Sequence, residues 1–158
     1  MTLQNDRQLD GVGWQLLKLL QENARQSFRQ IGEVIGLTAP AAAERVRRLE
    51  DAGIVVGYRA EIDLSKVGLP IMAFVHLSSN SQQSQRFRAV VLDMPQIIEC
   101  HCVTGSESYI LKVAAASVHH LEHLLMDLSG YGEVRTSVVL SSQITSRIIS
   151  ESQVLAGQ

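Results

Sequence analysis

Proline is scarce in this 158-residue chain, with three in all, and no apolar run approaches the roughly 20 residues that a bilayer-spanning helix requires. With few chain breakers and 46% hydrophobic against 19% charged residues, the sequence can bury a core, as one medium domain or two small ones. Met1 to Asp10 is polar and lacks the basic and apolar regions of a signal peptide. A cytoplasmic protein with no membrane partner is expected. Cysteine is also rare. Cys100 and Cys102 sit two apart in an apolar stretch, a spacing that suits no ordinary disulfide framework, and they read as reduced, half-buried thiols.

A net positive charge is missing too, the formal balance being −2. The distribution says more than the total. Between Arg25 and Arg48 stand Arg25, Arg29, Arg45, Arg47 and Arg48 against only Glu33 and Glu44. A short basic patch on an acidic chain fits a focused phosphate-contacting surface better than a nonspecific coat.

Catalytic signatures are absent. There is no glycine-rich phosphate loop. Ser106, Glu107 and His101 are near in sequence, but nothing shows a nucleophile oriented by a base and a third group. No enzyme and no cofactor are expected. Cys100, His101 and Cys102, and the group His119, His120 and His123, contain metal-ligating side chains. His119 and His123 are four apart, share a helix face, and can jointly bind zinc or nickel. A solvated helix edge is the simpler reading, and no metal site is expected.

The first third reads as helices. Val12, Leu16, Leu17, Leu19 and Leu20 form a helical stripe over Asp10–Glu22, with Gly11 and Gly13 weakening the first turn. Ser27 stands three before Gln30, the spacing of a capping box, and opens a second helix. That helix places Phe28, Ile31, Val34 and Ile35 on one side and stops at Gly36. Thr38 caps a third helix that tolerates Pro40 in its first turn. Ala42, Val46 and Leu49 face inward, and Ala39, Ala43, Glu44 and Arg47 outward. Ile54–Val56 and Tyr58 read as a strand.

After a connector, strand and helix signals alternate. They run Ile71–Leu77 strand, Ser84–Leu92 helix, Ile97–Val103 strand, Tyr109–Ala114 strand, Val118–Leu128 helix and Val134–Leu140 strand. This βαββαβ order predicts a ferredoxin-like, split βαβ plan. The fold class is therefore α+β. A helix-turn-helix domain over 1–60 and a linker over 61–68 precede a sensor and oligomerisation domain over 69–158.

Gly36-Leu37 is the tight turn of the helix-turn-helix. In that motif the third helix presents small or polar side chains at its front end, because base edges lie deep in a groove about 12 Å wide. Thr38, Ala39, Pro40, Ala41 and Ala43 meet that demand. Ser27, Thr38 and the helix N-terminus can address phosphates, and Arg47 and Arg48 can reach the backbone. With Arg25 and Glu44, these residues are the candidate contacts to double-stranded DNA. Three amphipathic helices with a glycine turn also occur in domains that never touch DNA.

Leu16-Leu17, Leu19 to Arg25, Ile31-Gly32 and Ile35 to Thr38 resemble the Lrp/AsnC family of regulators. So does Glu44 to Tyr58, the most specific piece. Glu99 to Gly105 followed by Tyr109 to Val113 is similar to that family's sensor domain. The resemblance runs along nearly the whole chain in the right order. It implies a winged-helix-like DNA domain and a ferredoxin-like domain that dimerises through its sheet, with assembly into tetramers or octamers. It also implies an amino acid bound between subunits by Gly105, Ser106, Glu107, Ser108, Tyr109 and Thr136.

Two departures stand out. The family usually has an acid where this chain has Gly13, which should loosen the first turn of the helix. Its sensor turn commonly ends in Asp where this chain has Ser108, which cannot pair with an ammonium group. Glu107 is the substitute at hand, although neighbours in a strand point to opposite faces. An atypical, weak or absent effector follows. The alternatives to a ligand-modulated regulator are an architectural DNA-organising protein without effector, and a ligand-binding regulator of another protein.

Overall fold

The structure, a computed structural model, describes residues 9–155. Most of the polar start that speaks against a signal peptide lies outside them. The chain divides into two compact units, one holding residues 9–60 with 144–155, the other Glu61–Gln143. The boundaries differ from those expected. The former linker 61–68 belongs to the second unit and carries a short 3-10 turn, Leu64–Val67. The tail returns to the first unit, where the Gln21 amide clamps Ile149 from both sides. Its Nε2 donates to the Ile149 carbonyl at 3.0 Å, and its Oε1 accepts from the Ile149 N–H at 2.8 Å.

The first unit is built on α1 (Gly11–Glu22), α2 (Phe28–Ile35) and α3 (Ala39–Asp51). Asp10 caps α1, its Oδ1 accepting from the Gly13 N–H at 2.8 Å while its other oxygen pairs with Arg45 of α3. The amide of Gly13 thus closes the first turn, whichever side chain the position carries. The Arg45 hydrogen bond, then the Gly13 amide, hold the Asp10 carboxyl below its usual range and keep it ionised. The capping box at Ser27 and Gln30 is complete, and Gly36 ends α2 in the left-handed conformation, φ 72°. Leu16, Leu20, Ile31, Ile35, Ala42, Val46 and Leu49 form the core. Phe28 and Val34 of α2 are exposed, contrary to the expected stripe, because the helix turns only Ile31, Gly32 and Ile35 inward.

Gly32 does more than continue the helix. A Cβ built on it would lie 2.4 Å from the Leu37 carbonyl oxygen. The turn into α3 thus packs directly on the backbone of α2. The strand expected at Ile54–Val56 and Tyr58 is not formed. The Ile54 and Val55 amides both donate to the Leu49 carbonyl, at 2.9 and 3.1 Å, and so finish the end of α3. Val56 is 92% exposed and has no strand to pair with among the described residues.

The second unit follows the predicted plan. Its elements are β1 (Ile71–Ser78), α4 (Ser81–Val90), β2 (Ile97–Cys102), β3 (Tyr109–Ala115), α5 (Val118–Ser129) and β4 (Glu133–Val138). The sheet is antiparallel with order β2-β3-β1-β4. Alternate residues Ala73, Val75 and Leu77 of β1 and Tyr109, Leu111, Val113 and Ala115 of β3 meet Phe87 of α4 and Leu121, Leu124 and Leu128 of α5. Helix α4 begins three residues earlier than the hydrophobic pattern suggested. Asn80 and Gln83 close a second capping box over a wholly polar first turn, which carries no apolar signal. A short α6, Glu151–Leu155, ends the described chain.

Replacing Gly32 by Ala should destabilise the first unit by about 1–3 kcal/mol, the usual cost of forcing extra volume into a packed site. Chemical denaturation followed at Trp14, which lies in α1, checks this. An unchanged midpoint would contradict the close approach.

Candidate DNA interface and effector turn

Helix α3 carries the candidate DNA contacts. Thr38 Oγ1 caps it by accepting from the Ala41 N–H at 3.4 Å. Pro40 is exposed and Ala39, Ala41 and Ala43 are half-buried, so the front end offers a low, small-residue surface. The opposite side, Ala42, Val46 and Leu49, is sealed in the core. Burial of Leu49 alone contributes about 1.5–3 kcal/mol toward fixing the helix.

The arginines are not bare cations. Glu44 accepts from Arg47 at 2.9 Å and from Arg48 at 3.1 Å, holding the two guanidinium groups side by side on the exposed face. Arg29 pairs with Glu33 at 3.0 Å. Arg45 is engaged with Asp10 and works as a brace between α1 and α3. Arg25 is exposed and makes no ion pair among the described residues; its backbone N–H donates to Asn23 Oδ1. Ser27 Oγ is occupied within its capping box. The interface is therefore prepaired, with carboxylates that phosphates would displace or share.

The turn between β2 and β3 brings together residues far apart in sequence. Ser108 Oγ donates to the Ser79 carbonyl and accepts from the Ser79 N–H, both at 3.0 Å, tying the start of β3 to the end of β1. Glu107 accepts from Arg135 of β4 at 2.8 Å and from the Ser106 hydroxyl at 2.8 Å. The Ser106 hydroxyl first, its own backbone amide next, and then the charges of Arg135 and His76 keep the Glu107 carboxyl below its usual range. Gly105 and Ser106 are exposed at the tip. Tyr109 does not join them. Its ring is buried against Phe87 with centroids 4.9 Å apart. Thr136 lies on β4 opposite Val75, exposed at the sheet edge.

Ser79, His76 and Arg135 escaped sequence reasoning. They lie 28–31 residues from the turn or on other strands, and only the strand register brings them there. The two thiols also differ from expectation. Cys100 and Cys102 are free and exposed, because β2 is an edge strand that the helices do not reach over.

A helix-turn-helix joined in one chain to a ferredoxin-like unit is the frame of a DNA-binding regulator with a second domain. The comparisons with known proteins give the family. The AsnC-type helix-turn-helix domain matches residues 9–50, and the Lrp/AsnC ligand binding domain matches residues 72–149. The regulator YezC of Bacillus subtilis is 38% identical over 134 residues, covering 85% of this chain and 95% of its own. LrpC of the same organism has a solved structure with TM-score 0.82 at 32% identity, covering 87% of this chain and 99% of that one. A transcriptional regulator of Neisseria meningitidis, solved as its complex with L-Met, gives TM-score 0.85 at 28% identity over 92% of this chain and 99% of that one. The chain belongs to the Lrp/AsnC family of DNA-binding transcriptional regulators. Its relatives are named as transcriptional or regulatory proteins, and no helix among the described residues is long and apolar enough to cross a membrane.

Ser108→Ala should cost the second unit about 1–3 kcal/mol, since it leaves the half-buried Ser79 N–H without its partner. Thermal unfolding of the purified protein reads the loss. A melting temperature equal to that of the wild type would mean that water replaces the hydroxyl at no cost.

Proposed function

We propose that the chain acts in the cytoplasm as a homo-oligomeric regulator whose grip on duplex DNA is adjusted by an amino acid held at the β2–β3 turn. The observation that carries the DNA contacts is the front of α3, where small side chains from Thr38 to Ala43 are followed by the paired Arg47 and Arg48. In this reading Thr38, Ala39, Pro40, Ala41 and Ala43 approach base edges. Arg47 and Arg48 grip the phosphates under the control of Glu44, and Arg25 and Ser27 add contacts from the start of α2.

The effector reading rests on charge. A free amino acid carries one ammonium and one carboxylate, and the turn offers Glu107 and Arg135 side by side, next to the exposed residues Gly105 and Ser106. The complexes of the Neisseria meningitidis regulator with L-Met, and of a Mycobacterium tuberculosis feast or famine regulatory protein with L-methionine, support an amino acid as the ligand class. Ser108 takes no part as an acid, and its hydroxyl is committed to Ser79. Pairing of two copies through the open sheet face is supported by Met72, Phe74 and Ile110, which stand on the side without helices, Phe74 being 39% exposed. Tetramers or octamers extend this pairing.

Arg47→Ala and Arg48→Ala should each weaken binding to an operator from the flanking genomic DNA, almost uniformly across sequences. Each should lower the dependence of log affinity on log salt by about one unit. Unchanged affinity in both variants would remove α3 from the interface. A nearly sequence-blind wild type with a steep salt slope would indicate an architectural protein instead.

A thermal-shift screen of the twenty amino acids at millimolar concentration should stabilise the wild type with at least one of them, and not Glu107→Gln. No stabilisation by any would leave the turn without an amino-acid role.

A further inference from the structure

Helix α5 carries three histidines, and they are not equivalent. His120 is half-buried and in use. Its Nδ1 accepts from the Ala116 N–H at 3.3 Å, and its Nε2 lies 3.3 Å from the Gln96 amide. His119 and His123 are exposed, one helical turn apart, and serve neither the core nor the sites described above. Their Nε2 atoms converge to 3.0 Å, with the rings edge to face and centroids 4.3 Å apart. Glu122 Oε2 stands 3.5 Å from His119 Nδ1. A carboxylate on that side favours the imidazole proton on Nδ1, so that Nε2 accepts from the His123 Nε2–H with the lone pair that a metal would use.

We propose that His119 and His123 chelate a divalent transition-metal ion of the nickel(II) or copper(II) type on the outer face of α5, with Glu122 fixing the tautomer of His119. The class follows from geometry. With metal–nitrogen bonds of about 2.0–2.1 Å, nitrogens 3.0 Å apart subtend about 95° at the ion. That is the cis angle of square-planar or tetragonal coordination, whereas a tetrahedral zinc site would need nitrogens about 3.4 Å apart. Two protein ligands leave the other positions to water or to a donor from another molecule. Binding requires a proton to leave His123 Nε2 for solvent or for its own Nδ1, which is unhindered at an exposed ring. The ion clips successive turns of a helix whose inner face, Leu121, Leu124 and Leu128, packs on the sheet. Because the unfolded chain holds the two rings in no fixed relation, the metal stabilises the folded state.

Isothermal titration of the full-length protein with nickel(II) chloride, alongside zinc(II) chloride, tests the site. One nickel ion per protomer is expected, bound more tightly than zinc and raising the melting temperature. His119→Gln and His123→Gln should each abolish this binding, and Glu122→Gln should weaken it about tenfold. All three positions are exposed, so each variant should remain folded, which far-UV circular dichroism checks. His101→Gln and the double variant Cys100→Ser/Cys102→Ser should bind nickel as the wild type does. Nickel affinity that survives in both histidine variants, or that disappears with the two cysteines, overturns the proposal. Zinc held more tightly than nickel overturns the coordination class.

Discussion

The contact between the backbone of α2 at Gly32 and the Leu37 carbonyl governs the DNA-facing half of the molecule. Two helices joined by a turn this short can hold a fixed crossing only if nothing intervenes at their closest point. A glycine there lets the carbonyl approach to a distance that any side chain would forbid. Gly36 completes the turn, since the left-handed conformation it adopts lets Leu37 drop back over α2 and return its own amide to the Gly32 carbonyl at 2.9 Å. With the turn fixed, burial of Ala42, Val46 and Leu49 leaves only one orientation for α3. The small front end and the arginine pair then face solvent together.

Electrostatics in both units follow a common pattern: exposed arginines are held by carboxylates within the fold. Glu44 spans Arg47 and Arg48, and Glu107 pairs with Arg135. Exposed pairs of this kind contribute little to stability, at most about 1 kcal/mol each. Their value is positional. A guanidinium already held in place loses less side-chain freedom when a phosphate or ligand carboxylate arrives, and it exchanges one anion for another rather than leaving water. The departure at Ser108 fits the same logic. Ser108 carries a hydroxyl that bonds the backbone beyond β1, and the acid of the turn is Glu107, one residue before it.

The helices and their caps were legible because their signals are local. Ser27 with Gln30, Thr38 before Pro40, and the spacing of Ala42, Val46 and Leu49 each lie within a turn or two of chain, where propensity and capping act. The order βαββαβ was legible for a similar reason, as short apolar runs such as Ile71–Leu77 and Tyr109–Ala114 take turns with the helical spacing of Leu121, Leu124, Leu125 and Leu128. Reading failed where local signals were silent or misleading. The polar first turn of α4 is fixed by Asn80 and Gln83 rather than by apolar spacing. Ile54 to Tyr58 has strand-forming residues but no strand to pair with among the described residues, and the Ile54 and Val55 amides finish α3 instead. The thiols looked half-buried because their neighbours are apolar, yet they stand on an edge strand.

By itself the sequence determined the two-part architecture, the helix that follows the Gly36 turn and the place of the turn at Gly105. All three depend on interactions between residues close along the chain. Only the tertiary structure decided which partners the side chains of the candidate sites have. Arg135 meets Glu107 across 28 residues, Ser79 meets Ser108 across 29, and Ile149 returns to Gln21 across 128. Such pairings are set by strand register and chain return, whose energetics are summed over a whole core and leave no mark on any short stretch of sequence.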